Sequence, residues 1–223
     1  MNFAGLAQLL PEAGGGFDCV LADLGVSSMQ LDNPARGFSY KNNGPLDLRL
    51  NPARGAPASA LLQSISAPAL AELLTINADE PHAELIAQTI KKHATPIATT
   101  RELADLVRLA LAGIAEPKEH KKTLARTFQA LRIAVNDEFA VLDRFLDALP
   151  WCMKPGGRVA ALTFHSGEDR RVEQAFQESF RSGVYSSIAT HPLRPSPEEQ
   201  RSNPRSTSAK LRWAIRSASS QQI

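Results

Sequence analysis

The polar segment that follows the apolar run 17–22 contains residue types that bind ligands. It offers a carboxylate, two hydroxyls and an amide, at Asp23, Ser27, Ser28 and Gln30. Gly25 lies among them and lets the backbone approach a bound molecule closely. A second apolar run, 158–164, ends in His165, whose imidazole can hold or move a proton near neutral pH. Together these side chains could bind and orient a polar molecule.

Both apolar runs predict β-strands. Their lack of polar alternation favours burial on both faces, as in a parallel sheet covered by helices. In open α/β sheets, ligands bind beyond the carboxyl ends of the strands. If the two strands are neighbours, Asp23 and His165 should therefore lie on the same rim of the sheet.

The long stretch between the two strands predicts helices. Residues 58–114 carry helical signals throughout, including the capping-box spacing of Thr99 and Glu102. A further helix is expected from about 123 to 149, where apolar residues recur on one face. A right-handed crossover needs far fewer residues than this. We therefore expect a whole helical subdomain inside the crossover.

The remaining segments complete the expected architecture. A short helix is predicted at 4–10, and the Asn-, Pro- and Gly-rich segment 33–56 should be irregular. Residues 184–190 and 209–216 predict two strands that form an antiparallel edge of the sheet. The overall prediction is an α/β fold.

Composition limits the function classes. With 43% hydrophobic and 22% charged residues, the chain of 223 residues resembles an ordinary soluble globular protein. No apolar run approaches the roughly 20 residues needed to cross a membrane, and the start lacks the features of a secretory signal. Cys19 and Cys152 lie in apolar surroundings, which favours buried reduced thiols over a disulfide or a metal site. These features favour a cytoplasmic protein that does not contact membranes.

The net charge of +2 hides an uneven distribution. Basic residues exceed acidic ones in 117–132 and again in 191–216. Such zones can neutralise phosphates of a nucleic acid, although charge runs are more often solvated surfaces.

Five segments resemble, in order, the signatures of one family, the MraW-type (RsmH) small-subunit ribosomal RNA methyltransferases. They are "DLGVSSMQLD" (23–32), "RGFSYKNNGPLDLRL" (36–50), "RTFQALRIAVNDE" (126–138), "LTFHSGEDRRV" (162–172) and "NPRSTSAKLR" (203–212). The resemblance implies a Rossmann-like methyltransferase sheet and S-adenosylmethionine as cofactor. It also implies methyl transfer to the N4 amine of a cytosine in the decoding region of 16S ribosomal RNA.

The resemblance assigns roles to individual residues. It implies that Phe3, Asp23 and Gln30 contact the cofactor. Candidates near the reacting amine are Asp23, Ser27, Ser28 and His165. More local roles stay open: a helix cap for Asp23, a surface amide for Gln30, a core position for Phe3, and for His165 a hydrogen bond to the backbone that fixes a loop.

The expected partner is small-subunit ribosomal RNA, within an assembled or assembling subunit. Candidates for phosphate contact are Arg126, Arg132, Arg170, Arg205 and Lys210, each of which could instead form a structural ion pair. Residues 1–50 and 120–223 are expected to form the methyltransferase domain. Residues 51–119 are expected to form an inserted helical subdomain that recognises the substrate. The oligomeric state is left open.

One departure from the family pattern matters. The family has a glycine-rich loop after its first strand and an acidic residue at the end of its second strand. This sequence contains neither. The chain is therefore expected to be N-terminally truncated, with the first strands of its sheet missing. A non-catalytic nucleic-acid-binding remnant is the alternative function. Methylation of a protein amine is a third possibility, but the sequence lacks the Asn/Asp-Pro-Pro-aromatic tetrad typical of amine methylation.

Overall fold

The computed structural model describes residues 3–114 and 116–218, without the side chains of residues 3 and 4. Within these residues the strands are β1 (Phe17–Asp23), β2 (Met153–Thr163), β3 (Tyr185–Ile188) and β4 (Lys210–Arg216). The α-helices are α1 (Ser28–Asp32), α2 (Ala58–Ser64), α3 (Ala67–Ala78), α4 (Ala83–Lys92), α5 (Thr100–Ala110), α6 (Pro117–Asn136), α7 (Glu138–Cys152), α8 (Ser166–Arg181) and α9 (Pro197–Ser202). Short 3-10 helices span Phe3–Leu9, Pro34–Arg36 and Pro204–Ser208.

The strands form one mixed sheet in the order β1-β2-β4-β3. β1 and β2 are parallel, whereas β4 runs antiparallel to both β2 and β3. The predicted Rossmann-like α/β fold is thus confirmed, as are the adjacency of the two apolar strands and the antiparallel edge.

The chain divides into two compact units. One, the sheet unit, is built from the chain up to Gly25 and from Phe139 onward; the other, the helical unit, is the continuous segment Val26–Glu138. The segment 51–119, expected as the inserted subdomain, lies inside the helical unit. That unit also contains α1, the irregular segment 33–56 and α6, so its boundaries are wider than the expected ones.

The core of the sheet unit lies on one face of the sheet. Val20 and Ala22 of β1 and Val159 and Ala161 of β2 are buried there. They pack with side chains of α7 and α8, namely Leu142, Phe145, Leu146, Leu149, Val172 and Phe176. The prediction that β1 is buried on both faces is wrong. Cys19 is exposed and Leu21 is 71% exposed, so the described residues cover only the opposite face of β1, and the expectation that the Cys19 thiol is buried is wrong.

β2 begins earlier than its apolar run. The predicted strand starts at 158, but Lys154 and the following Pro-Gly-Gly already belong to β2, which starts at Met153. The register against β1 shifts between Phe17 and Cys19, as at a β-bulge. A Cβ at Gly157 would lie 2.9 Å from the carbonyl oxygen of Phe17, so only glycine lets the strands approach here.

The prediction of one continuous helix over 123–149 is wrong, because this segment is divided between two helices. Asp137 adopts a left-handed conformation with φ 53° and separates α6 from α7. Aspartate and asparagine tolerate this conformation better than most residues do. Asn136 connects this junction to the segment before α2. Its side-chain nitrogen donates to Leu48 O, and its side-chain oxygen accepts from Leu50 N–H.

The helical unit has its own core. Its largest fully buried side chains come from the loop before α2, from α3, α4, α5 and α6, and from the residue after α5: Leu46, Leu48, Leu70, Leu74, Ile86, Leu103, Leu111 and Leu131. The predicted capping box of α5 is confirmed: Thr99 Oγ1 accepts from Glu102 N–H, and Glu102 Oε2 accepts from Thr99 N–H. No helix among the described residues combines the length and the apolar character needed to cross a membrane.

Candidate functional site

The carboxyl ends of β1 and β2 bring two of the predicted residues to one rim of the sheet. Asp23 ends β1 and pairs with Leu162 of β2. Leu24 N–H then donates to Leu162 O at 3.0 Å, and His165 follows two residues after the end of β2. Because the strands are adjacent and parallel, Asp23 and the turn that carries His165 leave the sheet in the same direction. The exposed Asp23 carboxylate can accept hydrogen bonds from an amine.

The turn after β1 passes beside the turn after β2. Gly25 has φ 89°, a left-handed conformation that glycine adopts without strain. A Cβ at Gly25 would lie 3.6 Å from the Phe164 ring and 3.9 Å from Glu168 Oε1. The rim therefore joins Asp23 and Gly25 of one strand end to Phe164, His165 and Glu168 of the other.

His165 is the N-cap of α8. Its Nδ1 accepts from Glu168 N–H at 3.4 Å, which is the backbone-fixing role that sequence reasoning left open. Glu168 was not among the predicted site residues. It is 4% exposed, and its Oε2 accepts from Phe164 N–H at 2.9 Å. The signal that could have found it is the spacing His-x-x-Glu at the start of a helix, which resembles a capping box.

Ser27 and Gln30 form a capping box in the helical unit. Ser27 Oγ accepts from Gln30 N–H at 3.3 Å, and Gln30 Oε1 accepts from Ser27 N–H at 3.0 Å. Both predicted ligand-binding groups thus also stabilise the short helix α1. Ser28 is the first residue of α1 and is exposed. Phe3 begins the first 3-10 helix, but its side chain lies outside the described residues.

Three of the five cations predicted to contact RNA form ion pairs within their own unit. Arg126 Nη1 lies 2.8 Å from Glu119, and Arg132 forms two 2.8 Å hydrogen bonds with Glu138. Lys210 Nζ lies 2.7 Å from Asp169. The remaining two cations, Arg170 and Arg205, are exposed, and each makes a further interaction.

Asp169 is the centre of a buried ion-pair network beside the rim. Arg212 Nε donates to Asp169 Oδ1 and Lys210 Nζ donates to Oδ2, both at 2.7 Å. Burial by itself would raise the pKa of Asp169, but the hydrogen bonds from Arg212 and Lys210 outweigh it and hold the pKa below its usual value. The network connects the first turn of α8 to β4. It therefore stabilises the position of α8, the helix that His165 caps.

The chain matches the model of the MraW methylase family over residues 1–217. It is 51% identical over 222 residues to ribosomal RNA small subunit methyltransferase H 1 of Lachnoclostridium phytofermentans, covering 97% of the chain and 60% of that relative. It is 52% identical over 222 residues to methyltransferase H 2 of Alkaliphilus metalliredigens, covering 97% of the chain and 63% of that relative. A relative from Halorhodospira halophila is 44% identical in an alignment that covers 96% of the chain and 71% of the relative. The chain therefore spans about 60–63% of the length of the first two relatives.

Proposed function

Because the chain belongs to the MraW methylase family, we propose that it carries the catalytic rim of a methyltransferase that modifies small-subunit ribosomal RNA with S-adenosylmethionine. The proposed target is the N4 amine of a cytosine in the decoding region of 16S ribosomal RNA. The observation that carries the proposal is the rim itself: the family match spans both strand ends, and their adjacency brings Asp23 and the His165 turn to one edge of the sheet.

The described rim fits part of such a cofactor. Asp23 is exposed at the end of a parallel strand, where its carboxylate can accept hydrogen bonds from a cofactor amine. Gly25 leaves room for close approach because it lacks a Cβ. In the helical unit, the amide oxygen of Gln30 accepts from Ser27 N–H, which leaves its amide nitrogen as a donor. S-adenosylmethionine supplies an electrophilic methyl group when bound.

The amine to be methylated needs help from the protein. The exocyclic amine of cytosine is a poor nucleophile because its lone pair is shared with the ring. The chain must hold this nitrogen in line with the methyl group and accept hydrogen bonds from its N–H groups. Asp23 is the described rim group best suited to accept them. His165 Nδ1 is occupied by the helix cap, which argues against a role as general base.

The RNA must present an unpaired cytosine. A base in a stack cannot reach a cofactor, so the target is either single-stranded or rotated out of its helix. Recognition of folded RNA depends on shape and unpaired segments, and we assign this part to the helical unit. Because Arg126 and Arg132 form ion pairs with glutamates, they are less available to phosphates than their charges suggest.

Binding and transfer are tested separately. Calorimetric titration of the folded chain with S-adenosylmethionine measures binding, and incorporation of a labelled methyl group into small ribosomal subunits, followed by mapping of the modified nucleotide, measures transfer. Asp23→Ala should weaken binding or transfer at least tenfold. Asp18→Ala is the matched control, because Asp18 lies at the other end of β1 with an 83% exposed side chain. A folded chain that binds RNA but not S-adenosylmethionine would instead support the non-catalytic alternative.

A further inference from the structure

Glu168 is a buried carboxylate at the point where the chain leaves β2. Its Oε2 accepts from Phe164 N–H, and its backbone N–H donates to His165 Nδ1. The two hydrogen bonds run in opposite directions across the turn, so backbone donors on both sides of His165 are satisfied. Glu168 therefore fixes the shape of this turn through its side chain as well as through its backbone.

These contacts favour one tautomer of the His165 ring. A nitrogen that accepts a hydrogen bond carries no proton, so a neutral ring bonded through Nδ1 carries its proton on Nε2. Nε2 lies 3.2 Å from Glu168 Oε1, a contact that is close but not aligned as a hydrogen bond. The carboxylate favours the Nε2-protonated tautomer electrostatically, because it places negative charge next to that N–H.

The ring is also enclosed by its neighbours. The ring centroids of Phe139 and His165 lie 6.0 Å apart. A Cβ at Gly167 would lie 2.6 Å from the Phe139 ring and 3.3 Å from His165 Nδ1, so only glycine allows this packing. The His165 ring consequently has one orientation, set by Glu168 on one side and Phe139 on another.

We propose that Glu168 is a positioning residue of the methyl-transfer rim, which orients the His165 ring in its Nε2–H tautomer and fixes the turn from Phe164 to Ser166 beside Gly25. The link to methyl transfer depends on the proposed function, whereas the state of the ring does not. In this arrangement His165 is a structural support of the rim and not the general base. Glu168 acts on the rim through Phe164 and His165, without itself touching a substrate.

The state of the ring is measured by NMR on the chain labelled with ¹⁵N-histidine. Long-range ¹H–¹⁵N correlation separates the two neutral tautomers, and His165→Asn assigns the signal among the five histidines. Asparagine is a good N-cap, so this variant should keep α8. We expect a single Nε2-protonated His165 in the wild type and a mixture of tautomers in Glu168→Ala. Glu168→Gln should be intermediate, because it retains an acceptor for Phe164 N–H but removes the charge beside Nε2.

Glu178→Gln is the matched control, since Glu178 lies on the same helix but is exposed. Its His165 signal should match that of the wild type. A His165 protonated on Nδ1 in the wild type, or an unchanged ring in Glu168→Ala, would overturn the proposal. If Glu168→Ala does not fold, the proposal is tested by the His165 tautomer measured in the wild type and in Glu168→Gln.

Methyl-transfer kinetics supply the second readout. Loss of Glu168 should lower kcat by about tenfold or more and change the KM for S-adenosylmethionine by less than about threefold, since misplacement of a supporting turn affects orientation more than binding. An active enzyme with unchanged kcat in Glu168→Ala contradicts the positioning role. An inactive wild type with the expected His165 tautomer counts against the proposed function and supports the placement of the ring.

Discussion

Arg132 and Glu138 face each other with two hydrogen bonds, from Nε and Nη2 to the two carboxylate oxygens, each 2.8 Å long. Both side chains are mostly buried, with 13% and 14% of their surfaces exposed. The pair joins the last part of α6 to the residue that follows Asp137. Arg132 thus stabilises the end of the helical unit, although its charge first indicated a contact with RNA.

Arg132→Ala should destabilise the chain by roughly 1.5–3 kcal/mol, because it leaves the Glu138 carboxylate partly buried without its charged donor. Urea unfolding measures the change. Arg108→Ala is the matched control: Arg108 also pairs with a carboxylate, that of Asp105, but the two side chains are 47% and 62% exposed. Exposed pairs contribute about 1 kcal/mol at most. Equal effects of the two substitutions would show that the Arg132–Glu138 pair is not a structural support.

Asp169 should make stability sensitive to acid. Its pKa is lower in the folded chain than in the unfolded chain, so its stabilising contribution is complete above the unfolded pKa, about 3.9, and is lost as the pH falls through the lower folded value. Asp169→Asn should therefore lower the free energy of unfolding at neutral pH and flatten its fall below pH 5. Urea unfolding at a series of pH values measures both effects. An acid slope as steep as that of the wild type would contradict the assignment, and the exposed Asp105→Asn serves as the control.

The two cysteines should react at very different rates. Cys19 is exposed on β1, whereas Cys152 is 1% exposed, and burial raises the pKa of its thiol and so reduces the reactive thiolate. A thiol reagent such as DTNB should modify one cysteine rapidly in the native chain and both in denaturant. Cys19→Ser should remove the fast reaction and Cys152→Ser the slow one. Fast modification of both thiols in the native chain would contradict the packing of α7.

Gly157→Ala should weaken the pairing of β1 with β2. The added Cβ would lie 2.8 Å from Lys154 O and 2.9 Å from Phe17 O, and neither backbone atom can move away without disturbing the sheet. We expect a loss of about 3 kcal/mol in the free energy of unfolding, measured by urea titration. Gly156→Ala is the control, because nothing lies within 4 Å of its Cβ and only its φ of 75° is strained. That strain costs about 1–2 kcal/mol, so a larger loss at Gly156 than at Gly157 would refute the close-approach explanation.

The fold was predictable where local patterns and global packing agree. The Thr99–Glu102 capping box, the parallel strands and the antiparallel edge follow from short sequence signals. The exposure of Cys19 did not follow, because an apolar run does not reveal whether both faces of the strand are covered by other elements. The break at Asp137 was also missed, since the apolar stripe continues through it and a single left-handed residue leaves no periodic signal.

The sequence predicted that the candidate site lies at two adjacent strand ends, but it did not predict the hydrogen bonds among the residues there. Adjacent strand ends follow from the topology, but a sequence does not show which nitrogen of His165 accepts a hydrogen bond. Glu168 was missed because a carboxylate near a helix start is common and usually exposed. The Ser27–Gln30 capping box was also missed, although its Ser-x-x-Gln spacing was visible in the sequence.

The separation of β1 from β2 has a consequence for synthesis on the ribosome. The helical unit is continuous in the sequence and has its own core, so it can acquire structure as soon as Glu138 has emerged. β1 precedes the helical unit in the sequence, whereas β2 and β4 follow it, so β1 cannot pair with β2 until that strand has also emerged. We expect the nascent chain to carry a folded helical unit before β1 can pair with β2.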